Sequence, residues 1–128
     1  MIDRFEHLFI APKDFDASLA FYRDVLGWSL LSSWGEPGGE RGSVLSSGAF
    51  KVMIVERRAS PREPTRNQSG ARIRVHLDIH DIDARFGRMP KGNHVVFPPE
   101  ATEQGTRWFV VTDPDGNQIA FEEPKGRG

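Results

Sequence analysis

Residues 111–124 have the sequence VTDPDGNQIAFEEP, and this stretch decides the fold. Its Asp113-Pro114-Asp115-Gly116 run is a strong turn signal, because glycine supplies a positive φ at no steric cost. Residues 107–112 before the turn are apolar and β-branched, and residues 117–122 after it are predicted to form the last strand. We therefore predict a hairpin that closes the final sheet of the chain.

The segments before this hairpin complete a second half with the order β-α-β-β-β. Residues 73–79 are predicted to be a strand, and residues 81–89 (DIDARFGRM) a short, weak helix with a glycine inside it. Residues 93–97 are predicted to be a strand that Pro98 and Pro99 close.

The first half has the same predicted order. Its elements are a strand over residues 5–10, a helix over residues 17–26 capped by Asp14 or Asp16 and ended by Gly27, a strand over residues 28–33, and a hairpin of residues 43–47 and 50–56 turning near Gly48. The two halves therefore repeat, and residues 6–10 align with residues 75–79. In this alignment each half has a histidine on its first strand and a glutamate ending its last strand.

Length and composition indicate one small domain built from two modules. We assign residues 1–56 to the first module, 57–71 to a linker, 72–124 to the second module and 125–128 to a tail. The absence of cysteine excludes disulfide scaffolds, thiol nucleophiles and cysteine-based zinc sites. A net charge of -1 argues against a nucleic-acid partner, and a solvated loop is the favoured interpretation of the linker arginines. Without a signal-peptide core or a membrane-spanning apolar run, we expect a cytoplasmic protein with no membrane contact.

Three stretches together resemble the vicinal oxygen chelate superfamily, which contains glyoxalase I, bleomycin-resistance proteins and extradiol dioxygenases. They are FYRDVLGW (residues 21–28), RVHLDIHDIDA (residues 74–84) and VTDPDGNQIAFEEP, and the second is similar to the glyoxalase-like branch. The resemblance implies an α+β fold of two paired βαβββ modules whose curved sheets form a cleft. It also implies a homodimer and a small-molecule ligand in the cleft.

Metal-binding members of this superfamily imply a ligand set of His7, His76 and Glu122. Glu56 would then be a fourth ligand or a catalytic base for proton transfer. Two histidines and a carboxylate suit a divalent transition metal such as Ni, Fe, Mn or Zn, and metal-free members make the absence of any cofactor equally consistent.

Two of the three positions fit the family pattern only with an adjustment. Counting from the motifs places Arg74 where His76 is needed, and Ala120 where Glu122 is needed. A two-residue deletion between strand and helix would restore His76, and a bulge in the last strand would restore Glu122. A shift of two residues keeps the face of the strand but moves a side chain by about 6.6 Å.

Several other residues are candidates for substrate binding. Trp34, Trp108 and Phe50 could stack on a flat ligand, and Arg74 could receive a carboxylate or phosphate. Trp108 and Phe109 are adjacent on one strand, so only one of them can face a cleft.

Three functions follow from these alternatives. The first is a metal-dependent enzyme of glyoxalase or dioxygenase type, a lyase or dioxygenase in which the metal holds two vicinal oxygens. The second is a metal-free protein that binds a small molecule, as drug-sequestering members do. The third is a metal-free isomerase or epimerase-like enzyme that uses acid–base chemistry.

Overall fold

The computed structural model describes residues 3, 5–37, 39–56 and 73–124, and divides the chain into two compact units, Met1–Asn67 and Gln68–Gly128. The predicted linker (57–71) and tail (125–128) lie outside the described residues. Each unit has a four-stranded mixed sheet with one helical segment between its first and second strands. The predicted α+β fold of two β-α-β-β-β modules is therefore confirmed.

The first unit has the strand order β1-β4-β3-β2, with β1 parallel to β4 and the other pairs antiparallel. Its helix packs against β4, so one face of the sheet is covered and carries the core of the unit. The elements are β1 (Leu8–Ile10), α1 (Phe15–Ala20), a π-helical turn (Phe21–Val25), β2 (Ser29–Trp34), β3 (Gly42–Ser47) and β4 (Phe50–Val55).

The helix of the first unit departs from the uniform α-helix predicted for residues 17–26. The Asp14 side chain accepts a hydrogen bond from the Ala17 N–H (3.0 Å) and starts α1, as expected of a cap. The chain then widens into the π-helical turn, in which the successive aromatic residues Phe21 and Tyr22 are both buried. Gly27 follows with φ of +74°, which confirms its predicted role at the helix end.

The second unit has the strand order β5-β8-β7-β6, again with the first strand parallel to the last. The prediction that Pro98 and Pro99 close a strand is wrong, because β6 continues to Ala101. Proline is tolerated there since β6 is an edge strand whose register with β7 shifts on either side of Phe97. The elements are β5 (Arg74–Asp78), α2 (Ile82–Arg88), β6 (Val95–Ala101), β7 (Arg107–Thr112) and β8 (Gln118–Glu123).

Helix α2 is held to the second sheet at its first turn. Asp81 accepts from the Ala84 N–H (3.1 Å), although its backbone has a left-handed φ of +52°. Glu123, on β8, accepts from the Ile82 N–H (2.9 Å), and the Ile82 side chain is buried. Within the residues described, neither helix combines the length and the apolar character that crossing a membrane would require.

We predict that Asp81→Ala lowers the free energy of unfolding by about 2 kcal/mol. About half is the lost cap and the rest is the cost of alanine in the left-handed region. Asp14→Ala removes a similar cap at extended backbone, so it should cost about 1 kcal/mol. Urea unfolding measures both values, with Asp81→Asn as the control that retains an acceptor and tolerates positive φ. Equal losses for the two alanine variants would contradict this account of the α2 start.

Candidate functional site

Strand alternation divides the second sheet into a helix-covered face and an open face. On β8, Ile119 and Phe121 are buried on the side of α2, where the Arg85 guanidinium lies 4.8 Å from the Phe121 ring centroid. Ala120 and Glu122 alternate with them and therefore point to the opposite side. We call that opposite side the open face after its partly exposed residues Trp108 and Glu122, although Ala120 on the same side is fully buried.

The pairing of the strands places three predicted site residues on the open face. His76 lies directly opposite Ala120, and Trp108 lies directly opposite Glu122. Directly opposed residues point to the same side of a sheet, so His76, Trp108 and Glu122 share the open face. Phe109 points the other way, is fully buried and contacts Phe86 of α2 at 5.1 Å between ring centroids.

Trp108 is the aromatic centre of the open face. Its ring lies nearly parallel to His76, with centroids 6.2 Å apart and an interplanar angle of 18°. Phe97 of β6 contacts the same indole at 5.2 Å. The His76 side chain is exposed and, within the described part of the chain, no hydrogen bond holds its ring nitrogens. An aromatic surface is thus available for stacking, with an imidazole beside it.

A cavity of about 450 Å³ opens on this face, and all of its described lining residues belong to the second unit. Such a volume accommodates a small organic molecule. Its lining combines two aromatic rings with carboxylates, an amide and a hydroxyl: His76, Glu100, Ala101, Thr102, Glu103, Gln104, Trp108 and Glu122.

A hydrogen-bond chain fixes the Glu122 carboxylate at the cavity wall. The Thr106 hydroxyl donates to Glu122 Oε2 (2.6 Å), and the Thr102 and Thr106 hydroxyl oxygens are 2.6 Å apart. The Thr106 N–H also donates to the Thr102 hydroxyl (3.1 Å). Sequence reasoning missed both threonines and Glu100, because their proximity to Glu122 depends on the β6–β7–β8 register.

Arg74 lies at the start of β5 and is exposed. Its Nε donates to Gln118 Oε1 (3.0 Å), and its guanidinium carbon is 5.8 Å from the Trp108 ring centroid. The Arg74 charge therefore lies at one side of the indole. The role of Arg74 as a substrate contact stays a prediction.

The first unit places Glu56 in an ion pair rather than at an open position. Arg41 Nε donates to Glu56 Oε1 (3.0 Å) and Arg41 Nη2 to Oε2 (3.1 Å), while the same guanidinium makes two 3.0 Å bonds to Asp16 of α1. These bonds, first with Glu56 and then with Asp16, raise the pKa of Arg41. Both oxygens of Glu56 are therefore engaged, which is unfavourable for a fourth metal ligand or a base.

His7 directly precedes β1 and is half-buried. Its Nδ1 is 3.6 Å from Glu6 Oε1, which also pairs with Lys51 Nζ at 3.2 Å. The hydrogen bond and charge of Lys51, followed by the bond from His7, lower the pKa of Glu6.

Two aromatic residues predicted to bind substrate have different surroundings in the first unit. Phe50 packs between Trp28 (5.5 Å) and Phe5 (5.6 Å), which indicates a packing role. Trp34 is 44% exposed on β2 and lies over Gly42 on β3, where any larger residue would meet the indole.

The internal repeat has an offset of 67 residues at the first strand, the helix start and the last strand of each unit. This offset differs from the alignment predicted from sequence, in which His7 matched His76 and Glu56 matched Glu122. The equivalent pairs are Leu8 and Val75, Val52 and Ile119, Asp14 and Asp81, and Phe15 and Ile82.

With this offset Arg74 is the counterpart of His7, and Glu123 is the counterpart of Glu56. The predicted ligand role of His76, which relied on a connector two residues shorter, stays a prediction. The pairing of β8 with β5 and with β7 is continuous, so the bulge that would restore Glu122 is not present.

The donors on the open face do not fit a divalent metal centre. Of the predicted ligands, the second sheet supplies His76 and Glu122, and the residue paired with His76 on β8 is Ala120, which has no donor atom. The Arg74 charge on the same face would repel a cation placed beside His76. Among the described residues, no three His, Asp or Glu side chains form a group that could hold a metal ion.

Comparison with known proteins gives one consistent family. The family model of the Glyoxalase/Bleomycin resistance protein/Dioxygenase superfamily matches residues 4–121. A curated relative, the uncharacterized protein YaeR of Escherichia coli (strain K12), is 24% identical, and the match covers 91% of this chain and 93% of YaeR.

Solved structures show the same architecture. A protein of unknown function from Agrobacterium tumefaciens str. C58 is 26% identical with a TM-score of 0.73, covering 97% of this chain and 96% of its own. A glyoxalase/bleomycin resistance protein from Streptomyces sp. CB03234 is 25% identical with a TM-score of 0.64, covering 93% and 100%.

We predict that Glu56→Gln lowers the urea midpoint of unfolding more than Asp16→Asn does. Glu56 is the less exposed partner of Arg41 and also accepts from the Arg41 N–H (3.3 Å), whereas solvent screens Asp16. Urea unfolding at low and high salt measures the two changes. Unchanged stability of Glu56→Gln, together with a loss of metal or ligand binding, would instead place Glu56 in a functional site.

Proposed function

The chain belongs to the Glyoxalase/Bleomycin resistance protein/Dioxygenase superfamily, and on that premise we propose that it binds a small molecule without a resident metal. The ligand occupies the cavity on the open face of the second sheet. One observation carries this proposal: Trp108, His76 and Glu122 line a cavity of about 450 Å³, while Arg74 and Ala120 stand where the metal hypothesis requires donors.

The cavity offers the mixture that small-molecule sites generally have. The indole of Trp108 supplies an apolar face for stacking, and Glu122, held by Thr106, supplies an acceptor whose direction is set before the ligand arrives. A preorganised acceptor loses less conformational entropy on binding than a mobile one. The homodimer and the cytoplasmic location expected from the sequence stay predictions.

A metal-independent acid–base enzyme is a second candidate. The observation that favours it is the presence of an imidazole, His76, and a carboxylate, Glu122, in the wall of one cavity. Imidazole can donate or accept a proton near neutral pH, so this pair could move a proton on a bound substrate. Turnover, abolished in His76→Gln while binding persists, would distinguish this enzyme from a binding protein.

The binding proposal predicts that small aromatic molecules raise the melting temperature in the presence of a chelator. Trp108→Leu removes the stacking surface and should weaken the affinity of any such ligand about tenfold, which corresponds to about 1.4 kcal/mol. Trp34→Leu, a change of the same size at an exposed indole of the first unit, is the matched control and should leave affinity unchanged. Melting curves unchanged by a chemically broad panel would count against the proposal.

For metal, we expect far less than one transition-metal ion per chain in protein purified without a histidine tag. The expected result holds after growth with added Ni, Fe, Mn or Zn, because no three His, Asp or Glu side chains of the described residues form a group that could hold a metal ion. Elemental analysis measures the content. One equivalent of metal that is lost in His7→Ala, His76→Ala or Glu122→Ala would restore the metal-dependent glyoxalase or dioxygenase hypothesis.

A further inference from the structure

A row of side chains crosses all four strands of the second sheet on its open face. Asp78 on β5 lies opposite Glu122 on β8, Glu122 lies opposite Trp108 on β7, and Trp108 lies opposite Glu100 on β6. Cross-strand partners are about 5 Å apart at their Cβ atoms. The Trp108 indole therefore has a carboxylate side chain on either side, and Glu100 and Glu122 both reach the cavity.

The cavity is negative although the chain as a whole is nearly neutral. Its lining includes Glu100, Glu103 and Glu122, and among the residues that the structure describes neither lysine nor arginine lines it. The complete sequence has 17 basic and 18 acidic residues, so this local excess is not a property of the average surface. None of these three glutamates forms a salt bridge within the described ranges. Their carboxylates can therefore interact with a ligand.

The indole and the carboxylates favour the same kind of partner. The face of an indole attracts a positive charge through its quadrupole, and a flat ring stacks on it. Glu122 is fixed by Thr106, so its charge is already directed when a cation arrives. The Arg74 guanidinium carbon lies 5.8 Å from the Trp108 centroid, so a positive charge is already present at one side of this indole.

Resting on the proposed function, we propose that the ligand of this cavity is a planar organic cation, such as an N-alkylated heteroaromatic ring. Its ring stacks on Trp108, and its positive charge lies between Glu100 and Glu122. Arg74, at the other side of the indole, weakens this binding by repulsion. The sequence suggested an anionic ligand through Arg74. For such a ligand, Glu100 and Glu122 would weaken binding and Arg74 would strengthen it.

The test compares three probes that share one bicyclic aromatic ring and differ in charge. N-methylquinolinium is the cation, quinoline at pH 8 is the neutral ring, and quinoline-2-carboxylate is the anion. Calorimetric titration of the full chain in chelator measures their affinities. We expect the cation to bind about tenfold more tightly than the neutral ring, and the anion to bind most weakly.

Two charge variants give opposite expected changes for the cation. Glu122→Gln retains an oxygen that can accept from Thr106 and should weaken the cation about tenfold, whereas Arg74→Gln should strengthen it about threefold. Glu123→Gln is the matched control, because Glu123 lies on the helix-covered face and caps α2. It should leave affinity unchanged, and thermal melts verify that all variants are folded.

The possible outcomes distinguish an error in the ligand class from an error in the location of the site. Equal or tighter binding of quinoline or its carboxylate, lost in Trp108→Leu, overturns the cationic class and leaves the proposed function standing. Weaker cation binding in Arg74→Gln also overturns it. If none of the three probes binds the wild-type chain, the cationic inference is wrong, while the broad panel tests the proposed function separately.

Discussion

The continuous pairing of β8 with both of its neighbours is the constraint on which the site depends. Residues on a strand alternate between two faces, and α2 covers the face that carries Phe109 and Phe121. Because these two rings are buried against α2, the neighbouring residues Trp108 and Glu122 must point to the opposite face. A register change of one residue would place the carboxylate in the core and Phe121 in solvent. The hydrophobic core thus determines the composition of the open face.

Most of the fold was predictable from the sequence because its turn and cap signals are local. Gly27 and the Asp113–Gly116 turn have the roles that their residue types predict. The π-helical turn was not predictable, since burial of two successive aromatic residues, Phe21 and Tyr22, depends on tertiary packing. The continuation of β6 through its prolines likewise depends on its place at the sheet edge, which a single strand sequence does not reveal.

The site was only partly predictable, for a reason that lies in the geometry of strands. A slip of two residues preserves the face of every side chain, so the pattern of alternation could not distinguish Arg74 from His76 as the counterpart of His7. The helix caps Asp14 and Asp81 align the two helices and favour Arg74 as that counterpart. Glu56 and Glu122 looked equivalent from sequence, yet one is bound by Arg41 and the other lines a cavity.

The central claim is that the open face of the second sheet, from β6 to β8, holds the ligand. Backbone amide and indole N–H resonances of a ¹⁵N-labelled sample, titrated with N-methylquinolinium, test this claim residue by residue. The account predicts shifts concentrated at the Trp108 indole N–H and at Glu100, Thr106 and Glu122, with Trp28 and Trp34 unchanged. Shifts confined to the first unit, with Trp108 unaffected at saturation, would contradict it.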